Sequence, residues 1–121
     1  TCALPISNET TTHEVVGEVE GKTCLLVDDM VDTAGTMCQA ASALKKRGAK
    51  RVIAAATHPI LSDPAAERIN NSPIEELIVT NTLRIRDDIN IPSMTVLSIA
   101  PLIAKAIQEV FEDGSVTSLF R

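Results

Sequence analysis

Apolar positions along this chain fall into short runs and stripes with different periods. Thr23-Cys-Leu-Leu-Val27 and Arg51-Val-Ile-Ala-Ala-Ala56 are continuous apolar runs, the pattern of strands buried on both faces. Leu77-Ile-Val-Thr80 and Met94-Thr-Val-Leu97 predict two further strands. Val15-Val-Gly-Glu-Val19 alternates weakly and predicts a short edge strand, with Glu20-Gly21-Lys22 as a turn. Between the strands the period becomes helical. Met37, Ala40, Ala41 and Leu44 form a stripe over residues 36–47; Thr36 and Gln39 make a capping box, and Gly48 suits the C-cap. Asp63 can cap a short helix with Pro64 at its first position, ending near Asn70. Pro101 opens a last helix whose broad apolar face holds Leu102, Ile103, Ala106, Ile107, Val110 and Phe111, and Gly114 ends it. Residues 57–62 and the charged stretch 84–92 are predicted loops. Thr1–Thr12 is polar and without period, as a frayed terminus is.

Strands alternating with helical segments imply right-handed crossovers and an α/β fold: a parallel sheet with helices on both faces. In such sheets ligands bind at the carboxyl ends of the strands. The segment following Val27 lies at one of those ends, so its chemistry decides the functional reading.

Composition narrows the setting. The chain has 121 residues, one ordinary domain, and 45% of them are hydrophobic, enough to bury a core. The net charge of -5 and the lack of a basic run give nucleic-acid binding no support. An acidic chain that binds phosphate must do so locally, with backbone amides and metal ions. Only Phe111 and Phe120 are aromatic, so base stacking is a poor prospect. Cys24 falls in a strand pattern and Cys38 in a helix pattern; with Cys2 the cysteine count is odd, and buried thiols in a reducing cytoplasm are expected rather than bridges or ligands. No apolar run reaches the roughly 20 residues that span a membrane.

Residues 28–36 concentrate polar chemistry. A loop that leaves a strand and turns into a helix presents open backbone N–H groups and the positive end of the helix dipole, which together hold a phosphate. Gly35 lets the backbone approach a ligand, Ala34 is nearly as small, and Thr33 and Thr36 add hydroxyl donors. No lysine lies in the loop, so amides and hydroxyls would cradle the phosphate; it lacks the Gly-Lys-Ser/Thr of a Walker loop and, with one glycine, is not a Gly-x-Gly-x-x-Gly turn. Asp28 and Asp29 can accept hydrogen bonds from vicinal sugar hydroxyls or approach Mg²⁺. Asp32 stands beside the phosphate nest, accepting from a loop amide or facing the reacting hydroxyl. The plainer alternative makes the three aspartates turn and cap residues of an ordinary strand–helix connection.

Val27-Asp-Asp-Met-Val-Asp-Thr-Ala-Gly-Thr36 resembles the ribose-phosphate loop of ribose-phosphate pyrophosphokinases, the phosphoribosyl diphosphate synthetases. Ala56-Thr-His-Pro-Ile-Leu-Ser62, Val79-Thr-Asn-Thr82, Val96-Leu-Ser-Ile-Ala100 and Gly114-Ser-Val-Thr-Ser-Leu-Phe120 resemble later segments of that family, in order, so the resemblance runs from about Asn8 to Phe120. It implies a phosphoribosyltransferase-like (type I) fold over residues 13–121, the C-terminal domain of a two-domain synthetase; residues 1–12 read as a ragged terminus, with a truncation scar as the alternative. It also implies transfer of a diphosphoryl group from Mg-ATP to the anomeric hydroxyl of ribose 5-phosphate, in an oligomer of nucleotide biosynthesis. Asp28, Asp29, Asp32, Thr33, Ala34, Gly35 and Thr36 are then the ribose 5-phosphate site, with Asp28 and Asp29 as metal ligands. The family's basic catalytic loop has no counterpart here, since no Lys or Arg precedes Lys22, and a fragment that binds but hardly catalyses is expected. The family also suggests a regulatory phosphate site between subunits at Ser115, Thr117 and Phe120, with Ser118 adding a third hydroxyl.

His58 ends a strand where a ligand can sit, though a structural hydrogen bond is its commoner use. His13 carries no assignment. Arg84 and Arg86 read as solvated surface, or as contacts to a nucleotide phosphate in an assembled enzyme. Two other functions compete: a phosphoribosyltransferase, for which no base-covering hood is evident, and a non-catalytic regulatory subunit, against which the intact aspartate and Thr-Ala-Gly-Thr motifs count.

Overall fold

Five parallel strands lie side by side in chain order: β1 (Cys2–Pro5), β2 (Thr23–Val31), β3 (Arg51–Pro59), β4 (Glu76–Thr80) and β5 (Met94–Leu97). Helix α1 (Gly35–Lys46) joins β2 to β3, α2 (Ala65–Asn70) joins β3 to β4, and α3 (Ala100–Phe111) follows β5, before a 3-10 turn at Val116–Phe120. The structure, a computed structural model, describes residues 2–5, 17–112 and 114–120.

The sheet buries one face deeply. Cys24, Leu26, Val52, Ala54, Ala56, Leu77 and Val79 share a core with Met37, Ala40, Ala41 and Leu44 of α1 and with Ala65 and Ile69 of α2. A fully buried leucine such as Leu26 or Leu44 contributes about 1.5–3 kcal/mol. The alternate residues Leu25, Ile53, Ala55 and Ile78 are only half-buried. Strands added in sequence order by right-handed crossovers put α1 and α2 on the same side, which explains the asymmetry. The parallel α/β sheet expected from the pattern is present. The second helical layer is not supplied by α3, which packs against the 3-10 turn and buries none of its residues.

Several local expectations are corrected. Cys2–Pro5, read as part of a frayed terminus, pairs with Cys24–Val27 as the edge strand. Gly17–Val19 is not a strand, although Val19 is a core residue; Val15, Val16 and His13 lie outside the described residues. Thr36 does not cap α1. The helix starts one residue earlier, at Gly35, after Ala34 in a left-handed conformation, and no side chain caps it. Asp63 does not cap α2 either: its carboxylate accepts from Arg86 at 3.3 Å, and α2 begins after Pro64. The other end of α1 matches the pattern. Gly48 has φ +87°, its N–H donates to the Lys45 carbonyl, and the Ala49 N–H donates to the Leu44 carbonyl, a Schellman closure that a Cβ would strain.

Candidate functional site

The apolar run ends at Val27, but β2 does not. Asp28 stays in register with Ala56, Met30 with His58 and Val31 with Pro59, so the strand carries both aspartates to the carboxyl edge of the sheet. Residues 32–34 then turn the chain into α1. Asp28, Asp29, Asp32, Thr33, Ala34, Gly35 and Thr36, the residues singled out from the sequence, all line one open cavity of about 700 Å³, together with Val27, Met30, Val31 and Met37. No lysine or arginine lines it.

The backbone of this turn is set for an anion. Ala34 has φ 60° and ψ 9°, a left-handed conformation that costs a residue with a Cβ roughly 1–2 kcal/mol. The first helical hydrogen bond runs from the Cys38 N–H to the Ala34 carbonyl at 3.0 Å. The amides of the opening turn, Gly35, Thr36 and Met37, therefore have no carbonyl partner within the helix and point out of its N-terminus. A strained loop followed by open amides is the geometry of a phosphate cradle.

The aspartates form the other wall. The Asp29 N–H donates to Asp28 Oδ1 at 2.8 Å, which folds the Asp28 carboxylate back toward its neighbour. Burial pushes the Asp28 carboxyl above the ordinary carboxylate value, the Asp29 amide draws it down, and the Asp29 carboxylate pushes it up again. Both residues line the same cavity, and the hydrogen bond between them holds the Asp28 carboxylate to the Asp29 amide. Among the described residues no three His, Cys, Asp or Glu side chains converge on a metal position. Asp28 and Asp29 fit Mg²⁺ as a pair, with substrate and water oxygens completing the shell as that ion prefers.

Gly35 and Arg68 show what the sequence concealed. A Cβ on Gly35 would come within 3.2 Å of Arg68 Nη1, so the space glycine leaves is filled by α2 from behind the loop. Arg68 Nη1 donates to the Thr33 carbonyl at 3.0 Å. The contact spans 35 positions, and no periodicity or motif marks it.

His58 makes the structural hydrogen bond considered for it, with Nδ1 2.8 Å from Thr82 Oγ1. Since the Thr82 hydroxyl donates to the Thr57 carbonyl at 3.1 Å, it accepts from His58, which places the proton on Nδ1. Arg84 pairs with Asp87, and Arg86 with Asp88 and Asp63, across an exposed loop. Ser115 and Thr117 bring their hydroxyl oxygens to 3.1 Å at the start of the 3-10 turn, and Phe120 is exposed; the Ser118 side chain lies outside the described part. Cys24 is buried in β2 and Cys38 half-buried in α1.

A parallel sheet with an amide-lined turn at a strand's carboxyl end is the architecture of phosphate-binding α/β domains. Within that class the chain belongs to the phosphoribosyl synthetase family: the family model described as "Phosphoribosyl synthetase-associated domain" matches residues 3–121. The chain is 57% identical over 115 residues to the ribose-phosphate pyrophosphokinase of Streptomyces coelicolor, covering 95% of this chain and 36% of that protein. It is 54% identical over 117 residues to the enzyme of the same name from Mycobacterium leprae, covering 97% and 36%. The crystal structure of phosphoribosylpyrophosphate synthetase from Mycobacterium smegmatis superposes with a TM-score of 0.80 at 55% identity, over 88% of this chain and 36% of that one. The chain thus spans about a third of its relatives' length. These overlaps establish the family and the fold, not the C-terminal placement expected from the sequence. No helix among the described residues is long and apolar enough to cross a membrane.

Proposed function

We propose that the turn at Asp28–Thr36 binds ribose 5-phosphate within a longer, cytoplasmic ribose-phosphate diphosphokinase, of which this chain supplies one domain. The observation that carries the reading is the cavity at the end of β2, lined by Asp28, Asp29 and the residues whose amides open α1. The phosphate sits on the amides and hydroxyls of Thr33–Thr36. Asp28 and Asp29 accept from the ribose hydroxyls and hold the Mg²⁺ that accompanies ATP, while Asp32 faces the reacting hydroxyl. Bound Mg²⁺ supplies charge neutralisation to the diphosphoryl group. In the whole enzyme, a homo-oligomer, that group passes from ATP to the anomeric hydroxyl, and phosphoribosyl diphosphate and AMP are the products.

The cavity has no cation in its lining. Stabilising charge on the transferred group is worth several kcal/mol in phosphoryl transfer, so this chain alone binds ribose 5-phosphate and transfers negligibly. The experiment is an NMR titration of the chain with ribose 5-phosphate, with an assay for AMP on the same sample. Amide shifts in residues 33–36 without AMP formation are expected. Shifts confined to other regions would sink the assignment, and brisk AMP formation would refute the inactivity.

A further inference from the structure

We infer that Arg68 is a positioning residue of the phosphate loop: it holds the Thr33–Ala34 peptide from behind so that the loop's amides stay open toward the anion. The inference rests on the reading of residues 28–36 as a ribose-phosphate site and extends it to a residue of α2.

The loop is a wall between two cavities. One is the site cavity lined by Val27–Met37; the other is a groove between α1 and α2 that Gly35, Cys38, Lys46 and Arg68 line. Arg68 reaches the wall from the groove side and donates to the Thr33 carbonyl at 3.0 Å. In a trans peptide the carbonyl and the next N–H point in opposite directions, so anchoring the Thr33 oxygen turns the Ala34 N–H away from Arg68. The anchored carbonyl is also the one that a Met37 N–H would take if α1 began a residue earlier. With Arg68 on that oxygen and Ala34 left-handed, the chain enters the helix at Gly35, leaving the Met37 amide without a helical partner.

Arg68 makes no ion pair among the described residues, so its charge is not cancelled by a carboxylate. A guanidinium lying against the loop backbone adds a positive potential behind the amides without occupying the site. A Cβ at Gly35 would stand 3.2 Å from Nη1, so the guanidinium packs directly against the glycine and would have to shift by a few tenths of an ångström for a larger residue.

The test uses the full-length enzyme and compares wild type, Arg68→Ala and Arg68→Lys. Ribose 5-phosphate affinity is measured by calorimetry, with steady-state KM and kcat for both substrates. Arg68→Ala should weaken ribose 5-phosphate binding about tenfold, the scale of one charged hydrogen bond. KM for ATP, kcat and the melting temperature should hold near wild type. Arg68→Lys, which keeps one donor and the charge, should recover part of the loss. A loss shared equally by ATP would make Arg68 a general structural residue and overturn the proposal. Wild-type affinity in Arg68→Ala, with wild type binding normally, would overturn it while leaving the site reading intact. Failure of wild type to bind ribose 5-phosphate would overturn both. Should Arg68→Ala fail to fold, Arg68→Gln makes the same comparison.

Discussion

Asp28 is where stability and the proposed function pull apart. Its carboxyl is raised above the ordinary value of 3.8, first by burial and then by Asp29, against the pull of the Asp29 amide. A raised carboxyl means that the fold favours the protonated form. The stability it contributes is complete below 3.8 and is lost as pH rises through the raised value, so at neutral pH the ionised pair costs the fold energy. Asp28→Asn keeps an oxygen to accept from the Asp29 N–H and removes the charge. We expect it to stabilise the chain by about 0.5 kcal/mol near pH 7, the scale of a partly exposed charge pair, and to abolish ribose 5-phosphate binding. The gain should vanish near pH 3. Urea unfolding at both pH values checks this; an Asn variant no more stable than wild type at pH 7 would show that the aspartates do not burden the fold. The cluster around Asp28 could be singled out in the sequence from its residue types, and these residues line one cavity. Arg68 was not, because a guanidinium leaning on a carbonyl leaves no mark on local pattern.

Elements were legible where burial imposed the pattern. β5 runs over the predicted Met94–Leu97, and the stripe of α1 is the set of residues it buries. Elements were misread where polar residues continue a ladder. β2 and β3 each extend past their apolar runs, because pairing between Asp28–Val31 and Ala56–Pro59 needs only backbone groups. The start of α1 was misread because a left-handed Ala34, not a hydroxyl cap, makes the turn. Among the described residues the 3-10 turn at Val116–Phe120 packs against α3 and no other element, so removing residues 115–121 should leave the sheet folded. If Ser115, Thr117 and Phe120 form a phosphate site completed by basic residues of a neighbouring subunit, that deletion in the full-length enzyme weakens inhibition by ADP more than it weakens ribose 5-phosphate binding. Inhibition curves before and after the deletion decide it; unchanged inhibition leaves the turn with a packing role.

At the scale of the molecule, the largest departure from the sequence reading is α3. The sequence marks a broad apolar face on this helix and implies helices on both faces of the sheet, yet Leu102, Ile103, Ile107 and Val110 are exposed, and Phe111 is 85% exposed. Val27, Val96 and Leu97 on the sheet are exposed as well. Apolar residues concentrated on one helix mark a surface that meets another protein surface. The relatives are longer proteins of which this chain spans 36%. On its own, the chain is expected to associate with a second copy through α3, since burying Ile107 and Phe111 against their counterparts removes the same area from water twice. Sedimentation at rising concentration should show the association, and the double variant Ile107→Asp, Phe111→Ser should be monomeric. Its melting temperature should stay close to wild type, because neither residue packs on the sheet and exposed positions change stability by about 0.5 kcal/mol or less. A wild-type chain that stays monomeric would remove α3 as the associating face. A variant that loses stability would instead mean that α3 closes over the half-buried side of the sheet in solution, as the sequence first suggested.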